Sequence, residues 1–222
     1  MIWFVSGIDT DAGKSYVTAG LLKYLLDRKC RATTFKLVQT GSPDGRSIDI
    51  DLHRRLTGMP EDDFDRRALT RPAVFSYPAS PHLAAAIDHR KLDFSAIENA
   101  LAEVDAAFDF VLVEGAGGLM VPLTRNLLTV DYAAGKHWPL ILVTSGKLGS
   151  INHTLLSIEA AERRGMTVAA VVYNRYPQID EIIEAETQSY LREKCPGAWI
   201  EMPVVTGERL TEAPDCKQLF GV

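Results

Sequence analysis

The sequence predicts a three-layer α/β fold, a mostly parallel sheet with helices on both faces, in a single domain over residues 1–222. Three observations lead there. Short apolar runs alternate with segments of helical period, the pattern of a parallel sheet covered on both faces. A chain of 222 residues that is 46% hydrophobic and 24% charged can bury a sizeable core. No internal repeat, low-complexity stretch or linker divides it.

Each element follows from its own residues. Residues 2–6 are a short apolar run, hence a buried strand, and 7–13 are rich in turn residues. Over 14–28, Val17, Leu21, Leu22, Leu25 and Leu26 fall at helical spacing. Residues 32–38 read as a second strand, and 50–56 as a helix that Gly58 stops. The stretch 59–92 holds acidic clusters with Pro60, Pro72, Pro78 and Pro81, and reads as a long irregular connection that could contribute to a site. Helical spacing returns over 94–108, and a strand over 110–113 ends at Glu114. Beyond it, 127–137 reads as helix, 140–144 as strand, 152–164 as helix, 168–173 as strand, 179–194 as helix and 199–202 as a last strand. No periodicity marks the tail after Pro203. Right-handed crossovers gather the loops at one sheet edge, where ligands of such folds bind beyond the strands' carboxyl ends.

A net charge of −5 gives no basic surplus for a nucleic-acid partner. Cys30, Cys195 and Cys216 are scattered, odd in number and form no C-x-x-C pair, which argues against a disulfide framework or zinc site and fits a reducing cytoplasm. The opening MIWFVSG lacks the basic start and cleavage site of a secretion signal. No uncharged apolar run approaches the roughly 20 residues that span a bilayer.

The segment GIDTDAGKS, residues 7–15, joins the first strand to the first helix. Phosphates need backbone N–H donors, and a helix N-terminus supplies them with a favourable dipole. Gly13 lets the backbone approach closely, Lys14 adds charge at the outer phosphates, and Ser15 offers Mg²⁺ a hydroxyl. The usual pattern G-x-x-x-x-G-K-[ST] is altered: Ile8 stands at its first glycine, and the glycine has moved to Gly7. Strand, loop and helix together with the GKS ending predict a P-loop NTPase-like fold.

Three further segments end strands at the same edge. FKLVQTG (35–41) places Lys36 inside an apolar strand, where burial needs an anionic partner. VLVEGAGG (111–118) ends a strand in one carboxylate, Glu114, and a glycine loop; Mg²⁺ needs only one or two carboxylates. Asp49 or Asp51 could supply another, or could serve as helix N-terminal charge. KLGSINH (147–153) opens a helix that Ser150 or Asn152 could cap and whose terminus could bind a carboxylate. His153 there reads as structural.

Together GIDTDAGKS, FKLVQTG, SPHLAAA (80–86), VEGAGGLMVPL (113–123) and KLGSINH resemble the dethiobiotin synthetases, in consistent order from residue 7 to 153. VVYN (171–174) and EMP (201–203) extend the likeness. The resemblance implies an ATP- and Mg²⁺-dependent ligase of biotin biosynthesis. It would make a cyclic urea from 7,8-diaminononanoate and CO₂ through a carbamate and a carbamic–phosphoric anhydride. It implies phosphate binding by Asp11, Ala12, Gly13, Lys14, Ser15 and Tyr16, with Glu114, Gly117 and Gly118 also at the nucleotide. Asn174 would recognise adenine, with Pro203 and Val204 lining that pocket. Lys36 and Lys14 would be the catalytic cations. Ser15, Asp49 (favoured over Asp51 by the family's helix spacing) and Glu114 would hold Mg²⁺. Thr10, Asp11, Lys36 and Thr40 would face the substrate. The resemblance further implies a homodimer in which Gly149, Ser150, Ile151 and Asn152 of a second subunit take the substrate carboxylate. Ile8 replaces a usual Thr and Asp11 a common Glu, and Thr187 aligns where some relatives carry a Tyr. Two other readings compete. A related P-loop amidoligase would usually carry a glutaminase domain, for which no Cys sits in a nucleophile elbow. A nucleotide-switched partitioning ATPase would carry a second lysine early in the phosphate loop, where Ile8, Asp9 and Thr10 stand.

Overall fold

A computed structural model describes residues 1–176 and 180–222. Six strands form one parallel sheet: β1 (Ile2–Gly7), β2 (Ala32–Lys36), β3 (Phe110–Gly118), β6 (Leu140–Ser145), β7 (Val168–Asn174) and β8 (Ala198–Met202), in the order β2-β3-β1-β6-β7-β8. A separate antiparallel pair, β4 (Pro122–Thr124) and β5 (Leu127–Leu128), follows β3. The expected helix at 127–137 therefore begins later, as α6 (Thr129–Gly135); Thr129, at its first position, bonds the Val121 carbonyl through Oγ1 instead of extending the helix backward.

Side chains alternate across the sheet, and two cores result. Phe4, Phe35, Val111, Val113 and Leu142 face α4 (Pro81–Ile87), α5 (Phe94–Ala107), α6 and α7 (Ser150–Glu162). Trp3, Val5, Leu112, Ile141, Val143 and Val172 face α1 (Lys14–Asp27), with Leu56 of α2 (Ile48–Thr57) and Phe220 of α9 (Lys217–Phe220). The remaining helices are α3 (Asp63–Arg66) and α8 (Glu181–Lys194). The expected helix start at Ile179 lies outside the described residues; Asp180 caps α8 by accepting from the backbone N–H groups of Ile182 and Ile183.

The connection 59–92 is more ordered than its prolines suggest. It contains α3 and α4, and between them it runs along the outer edge of β2. Lys36 N–H donates to Thr70 O at 2.7 Å, Gln39 N–H to Ala73 O at 2.8 Å, and Phe75 N–H returns to Gln39 O at 2.9 Å. These bonds use the groups an edge strand would otherwise expose.

The switch in strand order sits at β1, which is flanked by β3 and β6. Chain connections depart to opposite sides there, and a crevice opens beyond the strand ends.

Candidate active site

The crevice is a cavity of about 710 Å³. Among the predicted residues, Thr10, Asp11, Gly13, Lys14, Ser15, Tyr16, Lys36, Thr40, Asp49, Glu114, Gly117, Asn174 and Pro203 line it.

The displaced glycine of the phosphate loop has a steric reason. A Cβ on Gly7 would lie 2.8 Å from Asp9 O and 3.0 Å from Lys14 Cγ, so the lysine stem folds back over this residue. Lys14 Nζ then donates to Asp9 O at 3.3 Å. Gly13 is the N-cap of α1 at φ 88°, in the left-handed region that glycine adopts without penalty. No side chain caps α1 and its first turn has no acid, so no side chain accepts from its leading N–H groups.

Lys36 and Glu114 are direct partners across the β2–β3 ladder, which fixes their proximity by register. Lys36 Nζ lies 2.8 Å from Glu114 Oε1, 2.5 Å from Asp49 Oδ2 and 3.1 Å from Gly115 O. Burial works against the Lys36 charge, but Glu114 and Asp49 outweigh it and hold its pKa above the usual lysine value. Glu114 is fully buried; burial would raise its pKa, yet Lys36 and His53 keep it well below the ordinary carboxylate range. Lys14 is different: burial lowers its pKa, assisted by nearby Lys36 and only partly opposed by Glu114 and Asp49.

Of the two aspartates, Asp49 points inward and Asp51 pairs with Arg46 at the surface, Arg46 Nε lying 2.9 Å from Asp51 Oδ2. Ser15 Oγ lies 2.9 Å from both Asp49 Oδ1 and Glu114 Oε1. One hydroxyl has one proton to donate, so three hard oxygens converge with a proton for only one of the two contacts. That donor set fits Mg²⁺, which takes one or two carboxylates and completes its shell with water and phosphate. Among the described residues no three His, Cys, Asp or Glu side chains gather into a metal cage.

Other predicted residues lie elsewhere. Ala12 is buried, and its carbonyl accepts from Asn174 Nδ2 at 3.1 Å. Gly118 packs against the Gly7 carbonyl beneath the loop. Pro203 and Val205 face the cavity, whereas Val204 lines a smaller cleft with Arg209 and Leu210. Gly149, Ser150, Ile151 and Asn152 form the start of α7 and do not line this cavity. The expected cap by Ser150 or Asn152 is not formed: Gly149 is the N-cap at φ 94°, and Ser150 Oγ turns instead to Ser145 Oγ at 3.2 Å. Despite its order, the connection 59–92 contributes no lining residue.

Several residues at the site carried no sequence assignment. Lys147 lines the cavity and its ammonium donates to Asp11 O at 3.3 Å. Gln39 also lines it, with Oε1 accepting from the Ser47 hydroxyl at 2.6 Å. His53 is fully buried and touches Glu114. It stands four residues after Asp49 on α2, so helical spacing alone puts it on the same face.

Known proteins resemble this chain in sequence and in fold. A sequence model of a family described as an AAA domain matches residues 3–200. The chain is 47% identical to ATP-dependent dethiobiotin synthetase BioD 2 of Haemophilus influenzae over 81% of this chain and 94% of that one. It is 44% identical to the BioD 2 synthetase of Pasteurella multocida, covering 86% and 89%, and 46% identical to the BioD synthetase of Chlorobaculum tepidum, covering 84% and 78%. Among solved structures, a ParA family ATPase from Chlorobium tepidum aligns with TM-score 0.55 at 14% identity over 92% of this chain and 85% of that one, a likeness of fold. The chain belongs to the ATP-dependent dethiobiotin synthetase family.

Proposed function

We propose that this protein forms dethiobiotin from 7,8-diaminononanoate, CO₂ and ATP, releasing ADP and phosphate, as a step of biotin biosynthesis. The observation that carries the reading is the meeting of Lys14, Lys36, Ser15, Asp49 and Glu114 in one cavity at the start of α1. One substrate amine adds to CO₂ to give a carbamate. A carbamate oxygen attacks the γ-phosphorus and ADP leaves. The second amine attacks the carbonyl carbon, the C–O bond to phosphate breaks, and the ring closes with loss of a proton. No covalent bond to the enzyme is needed, so the protein acts by positioning and charge stabilisation.

The N–H groups opening α1 and the Lys14 ammonium bind the phosphates. Lys14, whose charge burial disfavours, gains an anionic partner there. Lys36, whose proton two carboxylates hold firmly, serves as a fixed cation beside the carbamate and γ-phosphoryl oxygens rather than as a base. Ser15, Asp49 and Glu114 would hold Mg²⁺, which when bound neutralises charge on the phosphoryl oxygens. Thr10, Asp11 and Thr40 face the reacting groups. Asn174 reads adenine from its place beside the loop, exchanging contacts to the Tyr176 backbone for contacts to the base.

The N-terminus of α7 in a second copy takes the substrate carboxylate, in a homodimer. Its lack of a side-chain cap and the neighbouring Leu148, 86% exposed, support this assignment. The unpaired Cys30, Cys195 and Cys216 support a reducing, cytoplasmic setting. No helix among the described residues is long and apolar enough to cross a membrane.

Incubation with diaminononanoate, bicarbonate, Mg²⁺ and each nucleoside triphosphate tests the activity. Phosphate should appear in step with the cyclic urea. Phosphate release indifferent to the diamine would overturn the assignment in favour of a nucleotide switch.

A further inference from the structure

Glu114 is a fully buried carboxylate with differently occupied oxygens. Oε1 meets Lys36 and Ser15, while Oε2 turns away from them to His53 Nε2 at 3.0 Å. The carboxyl torsion of Glu is soft, so something must fix its rotation. His53 is also fully buried, and its Nδ1 lies 3.0 Å from Thr34 Oγ1. The direction of these bonds can be deduced by counting protons. Arg54 Nη1 lies 3.0 Å from the same Thr34 oxygen, and arginine can only donate, so Thr34 accepts there. Its own hydroxyl proton then has one partner among the described residues, Nδ1 of His53. Nδ1 is therefore the acceptor and Nε2 carries the hydrogen. An Nδ1–H imidazole would leave the buried Thr34 proton without an acceptor and place a bare nitrogen lone pair against a carboxylate oxygen.

We infer that His53, as the Nε2–H tautomer, is a positioning residue that clamps Oε2 of Glu114 and so presents Oε1 to the cation and phosphoryl site. The clamp continues outward in one direction. Arg54 donates to Asp65 through Nε at 2.7 Å and Nη2 at 2.9 Å, and to Thr33 Oγ1 at 3.0 Å. Thr70 Oγ1 donates to Asp65 at 2.7 Å. The connection 59–92, which lends no residue to the cavity, thereby anchors the chain Asp65–Arg54–Thr34–His53 that ends on the carboxylate. Partners of this kind around a ligating carboxylate typically alter metal affinity by roughly 10–100-fold.

This inference rests on the proposed use of Mg²⁺ at Glu114, but part of its test does not. NMR of the protein with ¹⁵N-labelled histidine, without nucleotide or metal, reads the tautomer. His53 should show a protonated Nε2 and an unprotonated Nδ1; an Nδ1–H tautomer or a doubly protonated ring would overturn the inference. In turnover, His53→Leu should raise the Mg²⁺ concentration for half-maximal rate by roughly 10–100-fold, with the diaminononanoate KM little changed. His53→Gln, whose amide can still donate toward Oε2, should recover most of that loss. A folded His53→Leu protein with wild-type Mg²⁺ dependence would also overturn it, as would loss of stability in both variants with no change in Mg²⁺ dependence. An inactive wild-type enzyme would instead sink the functional assignment and leave the tautomer result standing.

Discussion

Two helices, α1 and α7, begin in the same way and lead to different surroundings. Each follows a parallel strand, each has a left-handed glycine as N-cap, and neither has a side-chain cap or an acid in its first turn. By contrast, α2, α3, α5 and α8 are capped by Ser47, Asp62, Asp93 and Asp180. At α1 the uncapped terminus opens into a cavity lined by Lys14, Lys36 and Lys147, the carboxylates of Asp11, Asp49 and Glu114, and the Ser15 hydroxyl. At α7 no charged group shares the first turn, and the flanking Leu148 is exposed. The backbone device, an uncapped dipole end, is shared. The side chains that register brings beside it decide whether it serves a triphosphate or, as proposed, a single carboxylate across a subunit boundary.

The sharpest way to break this contrast is to remove the cations from the α1 site. Lys36→Ala and Lys14→Ala should each lower turnover by roughly 10²–10³-fold or more. The two should differ in stability. Lys36→Ala leaves Glu114 and Asp49 uncompensated and should cost about 3 kcal/mol, read by denaturant unfolding, while still folding. Lys14, whose burial the fold does not offset, should cost less. Near-normal turnover in either variant would contradict the mechanism.

The glycines sharpen it further. A Cβ at Gly13 would come within 2.0 Å of Asn174 Nδ2, whereas one at Gly149 meets nothing within 4 Å. Both alanines carry the left-handed strain of about 1–2 kcal/mol. Gly13→Ala should in addition raise the ATP KM steeply by displacing Asn174, and Gly149→Ala should leave it unchanged.

A carboxylate placed at the other terminus probes its separate role. Asn152→Asp should raise the diaminononanoate KM by roughly 5–10-fold through repulsion at the dipole end, with the ATP KM unaffected. Equal KM values would detach α7 from the substrate.

The smallest effect on catalysis is expected from the buried pair that anchors α2. Burial opposes the Asp65 charge, but Arg54, Thr70 and the Asp62 backbone win and lower its pKa below the usual aspartate value. Its folded pKa thus lies below its unfolded one. Its contribution is fully present above that unfolded value and fades as pH falls through the folded one. Asp65→Asn should therefore lower stability at neutral pH and flatten the acid limb of unfolding below about pH 4, with modest change in turnover at pH 7.

The sequence announced this contrast unevenly. Strands and the phosphate loop were legible because local rules set them: an apolar run reads as a buried strand, and GKS after a turn reads as a phosphate loop. Lys36 could be singled out because a lysine inside such a run demands a partner, and register supplied Glu114. The residues alone leave Asp49 and Asp51 open and only the family likeness favours Asp49; of the two, it is Asp49 that turns to Lys36. What stayed hidden depended on distant contacts. Nothing local in 59–92 says that it pairs with the edge of β2, since those bonds use backbone groups that every sequence has. Ser150 and Asn152 are good capping residues, yet Gly149 takes the cap and Ser150 turns to Ser145, a choice made by tertiary packing. His53 shares a helix face with Asp49, but the Thr34 and Glu114 that flank its ring come from β2 and β3.

The origin of one phosphate oxygen tests the central claim most directly. With ¹⁸O-labelled CO₂ supplied in unlabelled water and quenched before the label exchanges, attack of a carbamate oxygen on the γ-phosphorus puts one ¹⁸O into each phosphate released, detectable by mass spectrometry. Phosphate carrying no label, while the cyclic urea still forms, would show that the two lysines and the carboxylate pair do not join carbamate to phosphorus, and would contradict the account.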